Sequence, residues 1–388
     1  MKKWDLKYHY QVTNNSIITS ISYSQTNDLI VAGTSTGDLL FFERCVDGSW
    51  SNIESSTVKG TDQKFDLFCQ CFANPTIIDL DFVPIQRKCP MLLTASHKQI
   101  KIWFISNHLE PIASPDFSPK GLEFPTIFQS ERLLTPNQVT SFESEYGINF
   151  TSLRCCPDGI NFAYCQDKTI SVRYVDRVDP ALTVFLSSAK LTKLDYHPKE
   201  YEILLAGDYV GRANIIDMRS QPTLKSPSLC ATTASIIGPK RFYYINDCKF
   251  SPDGSKFFTR HYSDLILWDL RHTVNCLGRV KLKHESETND ATISKDGRDI
   301  FKSVWVDQQT IATGSFGSAL FVIKTDGKIT TKYVTPKEQK ESKILLTQKS
   351  KMSFAKEHQV NAIAVNSSFN RVAASNSGSL QIYDLNAF

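Results

Sequence analysis

The groups in this 388-residue chain that could move a proton or hold a metal are 8 histidines, 10 cysteines and 40 acidic residues. Their spacing decides what they can do. His97, His108, His197, His261, His284 and His358 fall in separate turns or loops without ligand spacing, and a histidine so placed bonds a backbone group more readily than a metal. There is no H-E-x-x-H, no G-x-S-x-G, no P-loop and no G-x-G-x-x-G after a strand. Only Cys69-x-Cys71 and Cys155-Cys156 lie close together, and without a C-x-x-C pair neither a zinc site nor a redox dithiol is signalled. Asp79 and Asp81 alternate along one strand and share a face, a pattern expected of a solvated strand. Asp158, Asp253 and Asp296 sit in turns, where a carboxylate bonds its own backbone. These patterns predict a chain that is not an enzyme and needs no metal or cofactor.

Bulk properties narrow the partners. A net charge of +4, from 44 basic and 40 acidic residues, is too balanced to call for nucleic acid or a membrane. No run of about 18 apolar residues occurs, so no transmembrane helix is expected. The N-terminal MKKWDLKYHYQV lacks the apolar centre of a signal peptide. Cys69 and Cys248 fall in apolar strand patterns, where a free thiol acts as a small hydrophobe. A reducing compartment follows, cytoplasm or nucleus.

The elements that would position any site repeat one pattern. In Asn246–Arg271, NDCKFSPDGSKFFTRHYSDLILWDLR, a short strand turns on Ser251-Pro252-Asp253-Gly254. A second strand begins at Phe257 and reverses at Tyr262-Ser263-Asp264, and a third ends in Trp268-Asp269. Apolar positions recur with period two between turn residues, which excludes a helix. A meander closed by Trp-Asp is the periodic cue of a β-propeller blade. Equivalent third strands end in DLLFFER, QIKIWFIS, ISVRYVDR, RANIIDMR, LILWDLR, ALFVIKTDG and LQIYDL. The chain is therefore read as all-β, a single WD-repeat propeller of seven blades over residues 1–388. Small residues gather in the second strands (AGTSTG, LTASHK, LLAGDYVG, IATGSFGS, AASNSG), as crowding near an axis demands. Trp4–Val12 is expected to complete the seventh blade and close the ring.

Blades ordinarily run about 40–45 residues, and the intervals here leave room for insertions. Ser49–Thr61 is polar. Residues 107–147 hold five prolines with apolar patches at Leu122–Phe128 and Leu133-Leu134, and read as a long hairpin out of the second blade. Residues 220–244 end in Phe242-Tyr243-Tyr244, and residues 324–358 form a lysine-rich loop.

Strings across nearly the whole chain resemble the B-type, 55-kilodalton regulatory subunits of protein phosphatase 2A, the Cdc55-like family. They are SIITSISYSQTNDLIVAGTSTGDLLFF, KFDLFCQCFANPTIIDLDFVP, LLTASHKQIKIWFIS, LDYHPKEYEILLAGDYVGRANIIDMRS, DCKFSPDGSKFFTRHYSDLILWDL and TIATGSFGSALFVI. The resemblance fades over Asp176–Lys190 and in the lysine-rich insertion. It implies a non-catalytic subunit that docks on a helical-repeat scaffold and presents phosphoprotein substrates to a separate catalytic subunit. It also implies that the hairpin reaches the scaffold, through Phe124, Pro125, Ile127 and Phe128. Asp179, Asp208, Tyr262 and Phe316 match positions of the family's substrate face. Asn14-Asn15, Thr34-Ser35-Thr36 and His261 stand where the family carries acidic or charged residues, so this face is less acidic than its relatives'. The alternative is a WD-repeat interaction scaffold unrelated to phosphatase.

Overall fold

The computed structural model describes residues 3–12, 16–53, 57, 65–66, 71–72, 76–84, 90–106, 135–143, 149–177, 181–219, 229–232, 244–282, 301–315, 319–326, 329–334, 360–376 and 378–386. Seven four-stranded antiparallel sheets account for nearly all of them, with one two-stranded ribbon at Phe65–Asp66 and Cys71–Phe72. From the axis outward, blade 1 is Ile18–Tyr23, Leu29–Thr34, Leu39–Arg44 and Trp50–Asn52. Blade 2 is Ile77–Phe82, Met91–Ser96, Gln99–Ser106 and Thr135–Glu143, and blade 3 is Phe150–Cys155, Asn161–Gln166, Thr169–Tyr174 and Leu182–Leu186. Blade 4 is Leu191–Tyr196, Ile203–Asp208, Arg212–Asp217 and Leu229–Thr232, and blade 5 is Asp247–Phe250, Lys256–Arg260, Asp264–Asp269 and His272–Lys281. Blade 6 is Ser303–Asp307, Thr310–Gly314, Ala319–Lys324 and Ile329–Val334. Blade 7 takes Ile363–Val365, Arg371–Asn376 and Ser379–Asn386 from the end of the chain and Lys3–Gln11 from its start. The expected ring closure is thus an antiparallel pairing running from Lys3↔Asn386 to Gln11↔Ser379. Innermost strands neighbour one another in chain order, and the last meets the first. No helix long and apolar enough to cross a membrane occurs among the described residues.

The core lies between blades. Seven apolar clusters are formed by the described residues, one at each seam of the ring. Because neighbours cover both faces, Leu29–Thr34 is buried at every position, which explains near-continuous apolar runs instead of strict alternation. Each fully buried Leu or Phe contributes about 1.5–3 kcal/mol. Trp268 stacks on Phe257 at 6.1 Å, and its Nε1 donates to Thr259 Oγ1 at 3.1 Å. Trp103 repeats the bond to Thr94 Oγ1 at 2.9 Å in blade 2.

The small residues of the second strands have a specific reason. A Cβ added at Gly33 would meet the Ile77 side chain at 2.5 Å, and one at Gly207 would meet Ile245 at 2.6 Å. At these junctions, and at Gly314 beside Val360, the residue at the start of the next blade presses on the second strand before it.

The stretches read as insertions each contain an outer strand. Thr135–Glu143 pairs with Gln99–Ser106, Leu229–Thr232 with Arg212–Asp217, and Ile329–Val334 with Ala319–Lys324. The remainder of 107–147, residues 107–134 and 144–147, lies outside the described residues.

Candidate docking rim

Turns between second and third strands, together with the segments leading into each first strand, form one rim of the ring, here the upper rim. Among the described residues, hydrogen bonds lace it across six of the seven seams. Thr76 Oγ1 donates to Ser35 O, Phe150 N to His97 O, Leu191 N to Asp167 O and Ile245 N to Asp208 O. Val360 N donates to Ser315 O; Val12 N donates to Gly378 O within blade 7, extending the pairing of Lys3–Gln11. At the seam between blades 5 and 6 a side chain supplies the bond: Arg260 Nη2 donates to Gly314 O at 3.3 Å and Nε to Thr313 Oγ1 at 3.0 Å. The opposite, lower rim carries the turns between first and second strands.

Two of the four residues expected at a substrate face, Asp208 and Tyr262, lie on the upper rim in adjacent blades. Asp208 ends the second strand of blade 4 and is wholly buried. Its carboxylate accepts from Val210 N at 3.0 Å, Arg212 N at 2.8 Å and Arg212 Nε at 2.9 Å. Its work is to shape the turn Tyr209–Gly211 and fix Arg212. Tyr262, in the corresponding turn of blade 5, is half-buried with its ring 6.5 Å from Phe301, which leads into blade 6. Its carbonyl accepts from Arg260 Nη1 at 2.8 Å. Arg260 lies under Phe301 at 5.2 Å, and burial depresses the guanidinium to about 9. His261 is also buried, bonded to Thr259 Oγ1 at 3.2 Å, so it adds nothing to the exposed face. Phe124, Pro125, Ile127, Phe128, Asp179 and Phe316 lie outside the described residues.

Of the histidine and turn-aspartate expectations, His197, Asp158 and Asp253 are met; His108, His284, His358 and Asp296 lie outside the described residues. His197 Nδ1 accepts from Glu200 N at 2.9 Å, and Nε2 pairs with Gly254 O at 3.1 Å. Asp158 accepts from Ile160 N and Asp253 from Ser255 N. Seven cysteines are free thiols among the described residues, and burial pushes Cys165 up to about 12, away from nucleophilic thiolate. No cluster of three or more His, Cys, Asp or Glu is placed for a metal among the described residues.

Sequence reasoning missed the axis. Asp79, expected on a solvated strand, is wholly buried there and bonded to three cations. Arg154 Nη1 and Lys193 Nζ each lie 3.1 Å from its carboxylate, and Lys302 Nζ lies 2.8 Å away. Ser152 Oγ and Leu153 N also donate to it. The error was to judge one strand alone, when the innermost strand of a ring has a neighbour on each side. The signal was present in the charges that recur on first strands: Asp79 and Asp81, Arg154, Lys193 and Asp195, Asp247 and Lys249, and Lys302 beside Ser303.

Burial alone would raise the Asp79 carboxyl, but Arg154, Lys193 and Lys302 outweigh it and hold the group well below its ordinary value. The cations share that single carboxylate, so burial wins at Lys302 and depresses it to about 8. Burial also lifts Asp195 to about 6 against the pull of Arg154, and raises Asp81. The carboxylates stitch successive blades. Asp81 accepts from Cys155 N at 3.0 Å, Asp195 from Phe250 N at 2.9 Å and Asp247 from Ser303 N at 2.7 Å. This chemistry holds the ring; the exposed chemistry is at the upper rim.

No family model matches the chain. Among curated proteins it is 21% identical over 351 residues to the B regulatory subunit of protein phosphatase PP2A from Candida tropicalis, covering 80% of this chain and 67% of that protein. It is 20% identical over 289 residues to the protein of the same name from Schizosaccharomyces pombe, covering 67% and 62%. To the gamma isoform of the 55 kDa B regulatory subunit of serine/threonine-protein phosphatase 2A from Homo sapiens it is 19% identical over 302 residues, covering 68% and 66%. The chain thus spans about two thirds of the length of the relatives it matches.

Proposed function

We infer that this chain, a divergent relative of the B-type regulatory subunits of protein phosphatase 2A, is itself a non-catalytic regulatory subunit of a phosphatase 2A-like serine/threonine phosphatase. The observation that carries the reading is the alignment with these subunits over 67–80% of the chain. The seven-bladed ring supports it, since a propeller presents loops from many blades to a partner at once. In this reading the hairpin insertion 107–147 grips a helical-repeat scaffold subunit through Phe124, Pro125, Ile127 and Phe128. The upper rim receives the phosphoprotein, with Tyr262, Asp179 and Phe316 at the contact and Asp208 holding Arg212 in place. A separate catalytic subunit removes the phosphate. The free thiols suit a reducing compartment, the cytoplasm or the nucleus.

The test is a pull-down from lysate of the protein's own source, with serine/threonine phosphatase activity assayed on the recovered material. The intact protein is expected to recover activity and the Phe124→Asp/Phe128→Asp double variant, shown to be folded, to lose it, because charge in an apolar anchor is left desolvated. If the intact protein recovers none, the chain is a WD-repeat scaffold for another assembly.

A further inference from the structure

We propose that the upper rim over blades 3 to 5 is a docking face for an acidic, extended segment of the substrate, held by its Asp and Glu side chains. The proposal rests on the regulatory-subunit reading and adds the chemistry of what is selected.

Charge complementarity points to this occupant. Among the described residues between Gln166 and Lys281, the cations of this rim with some exposure are Lys168, Lys190, Arg212, Arg279 and Lys281. Arg212 and Arg279 are each paired with a buried carboxylate, which leaves Lys168, Lys190 and Lys281 against one acid of comparable exposure, Asp167. The other acids are buried and engaged: Asp208 on Arg212 at 2.9 Å, and Asp264 on Arg279 at 2.7 Å. The lower rim of the same blades has the opposite balance. It carries Asp158, Asp176, Glu200, Glu202, Asp217, Asp253 and Asp269, with Arg177, Lys199, Arg219, Lys256 and Arg271. An approaching acidic segment meets attraction on one rim and repulsion on the other.

The cations stand on a rigid surface. Ser187 N donates to Lys168 O, Leu191 N to Asp167 O, Tyr209 N to Lys190 O and Ile245 N to Asp208 O. These bonds set Lys168, Lys190, Tyr209, Arg212 and Tyr244 in one continuous run across the blades. Tyr209 is 46% exposed and Val210 48% exposed, so apolar contact is available between the charges. The Tyr209 ring rests on Tyr244 at 5.8 Å, with Lys190 Nζ over it at 5.7 Å. Arg212 is fixed through Nε to Asp208 and through Nη2 to Ser188 Oγ at 2.7 Å. A pre-ordered guanidinium loses little freedom when a carboxylate arrives.

The run crosses three blades, so a ligand reaching all of it must be extended. Carboxylates are favoured over the substrate's phosphate, because a phosphate gripped here would be withheld from a separate catalytic subunit.

The test is fluorescence anisotropy with the full chain and a short fluorescein-labelled Glu/Ala peptide, beside a Lys/Ala peptide and a phosphoserine/Ala peptide. The Glu/Ala peptide is expected to bind, the phosphoserine/Ala peptide no more tightly than it, and the Lys/Ala peptide not at all, with affinity falling as salt rises. Lys168→Glu/Lys190→Glu should weaken it about tenfold or more, while Lys199→Glu/Arg271→Glu on the lower rim should leave it unchanged. Equal binding of the Lys/Ala peptide, equal loss from both reversals, or preference for the phosphoserine peptide overturns the proposal. The phosphatase pull-down separates the two readings. Activity recovered without Glu/Ala binding sinks this inference alone. No recovered activity sinks the regulatory-subunit reading, and with it the assignment of the acidic segment to a substrate.

Discussion

The axis of the ring is lined by charge where blades 2 to 6 meet it and by small neutral side chains where blades 7 and 1 do. On the charged side Asp79, Arg154, Lys193, Asp195 and Lys302 form a contact network, and Asp79, Asp195 and the nearby Asp247 accept peptide N–H groups from a neighbouring blade. On the neutral side the matching strands carry Ser20, Ser22, Ala362 and Ala364. Cohesion there comes from apolar packing and from the strand Lys3–Gln11, whose Tyr8 and Tyr10 lie edge-on to Phe42 at 6.2 and 5.2 Å. Both halves relieve the same crowding. A seam between small residues closes by shape at the axis, with hydrogen bonds between Asn27 and Ser367 at the lower rim. A charged seam closes only with the right partner opposite, so the network ties each blade to its neighbour more than it adds stability.

The sharpest way to break the comparison is Asp79→Asn. It leaves three cations without their shared carboxylate and is expected to cost about 3–5 kcal/mol, read as a fall in the urea midpoint. A loss of less than about 1 kcal/mol would mean that the network is hydrated and not buried.

Acidity separates two carboxylates of the same network. Asp195 is raised to about 6 in the fold, so between that value and the ordinary carboxylate range the folded chain holds a proton the unfolded chain has released. Its contribution therefore grows as pH falls from neutrality through about 6. Asp79 is depressed, so its contribution is present above the ordinary carboxylate range and lost as pH falls below it. The wild type should be steadier at about pH 5 than at about pH 7.5, and Asp195→Asn should reduce that gain, leaving only what the raised Asp81 contributes. An equal gain in the variant would place the titrating group elsewhere.

The smallest effect belongs to the neutral side. Ser20 is wholly buried and its Oγ has no partner among the described residues, so Ser20→Ala is expected to be neutral or to stabilise by up to about 1 kcal/mol. A marked loss in thermal unfolding would show that this half also depends on polar contacts.

The periodic strands, the turn on Ser251-Pro252-Asp253-Gly254 and the closing Trp268 announced seven blades, because period two and turn chemistry are local. Closure by the N-terminal strand was legible for the same reason: an unpaired alternating segment at each end of the chain has one economical partner. The outer strands were harder to read. Leu229–Thr232 is four residues long and Thr135–Glu143 contains a proline, so neither stands out from the loop around it. For the rim, the types of Asp208 and Tyr262 were visible, but whether a carboxylate faces solvent or its own turn was not.

What the sequence determined by itself is the blade count, the ring and the absence of recognisable catalytic motifs, since each follows from spacing along the chain. What only the tertiary structure decided is where charge lies. Asp79 became the centre of the axis, Asp208 the brace of a turn, and Lys168, Lys190 and Arg212 neighbours on one rim. The physical reason is that a charge's role depends on what surrounds it in space, and in a ring those surroundings come from other blades.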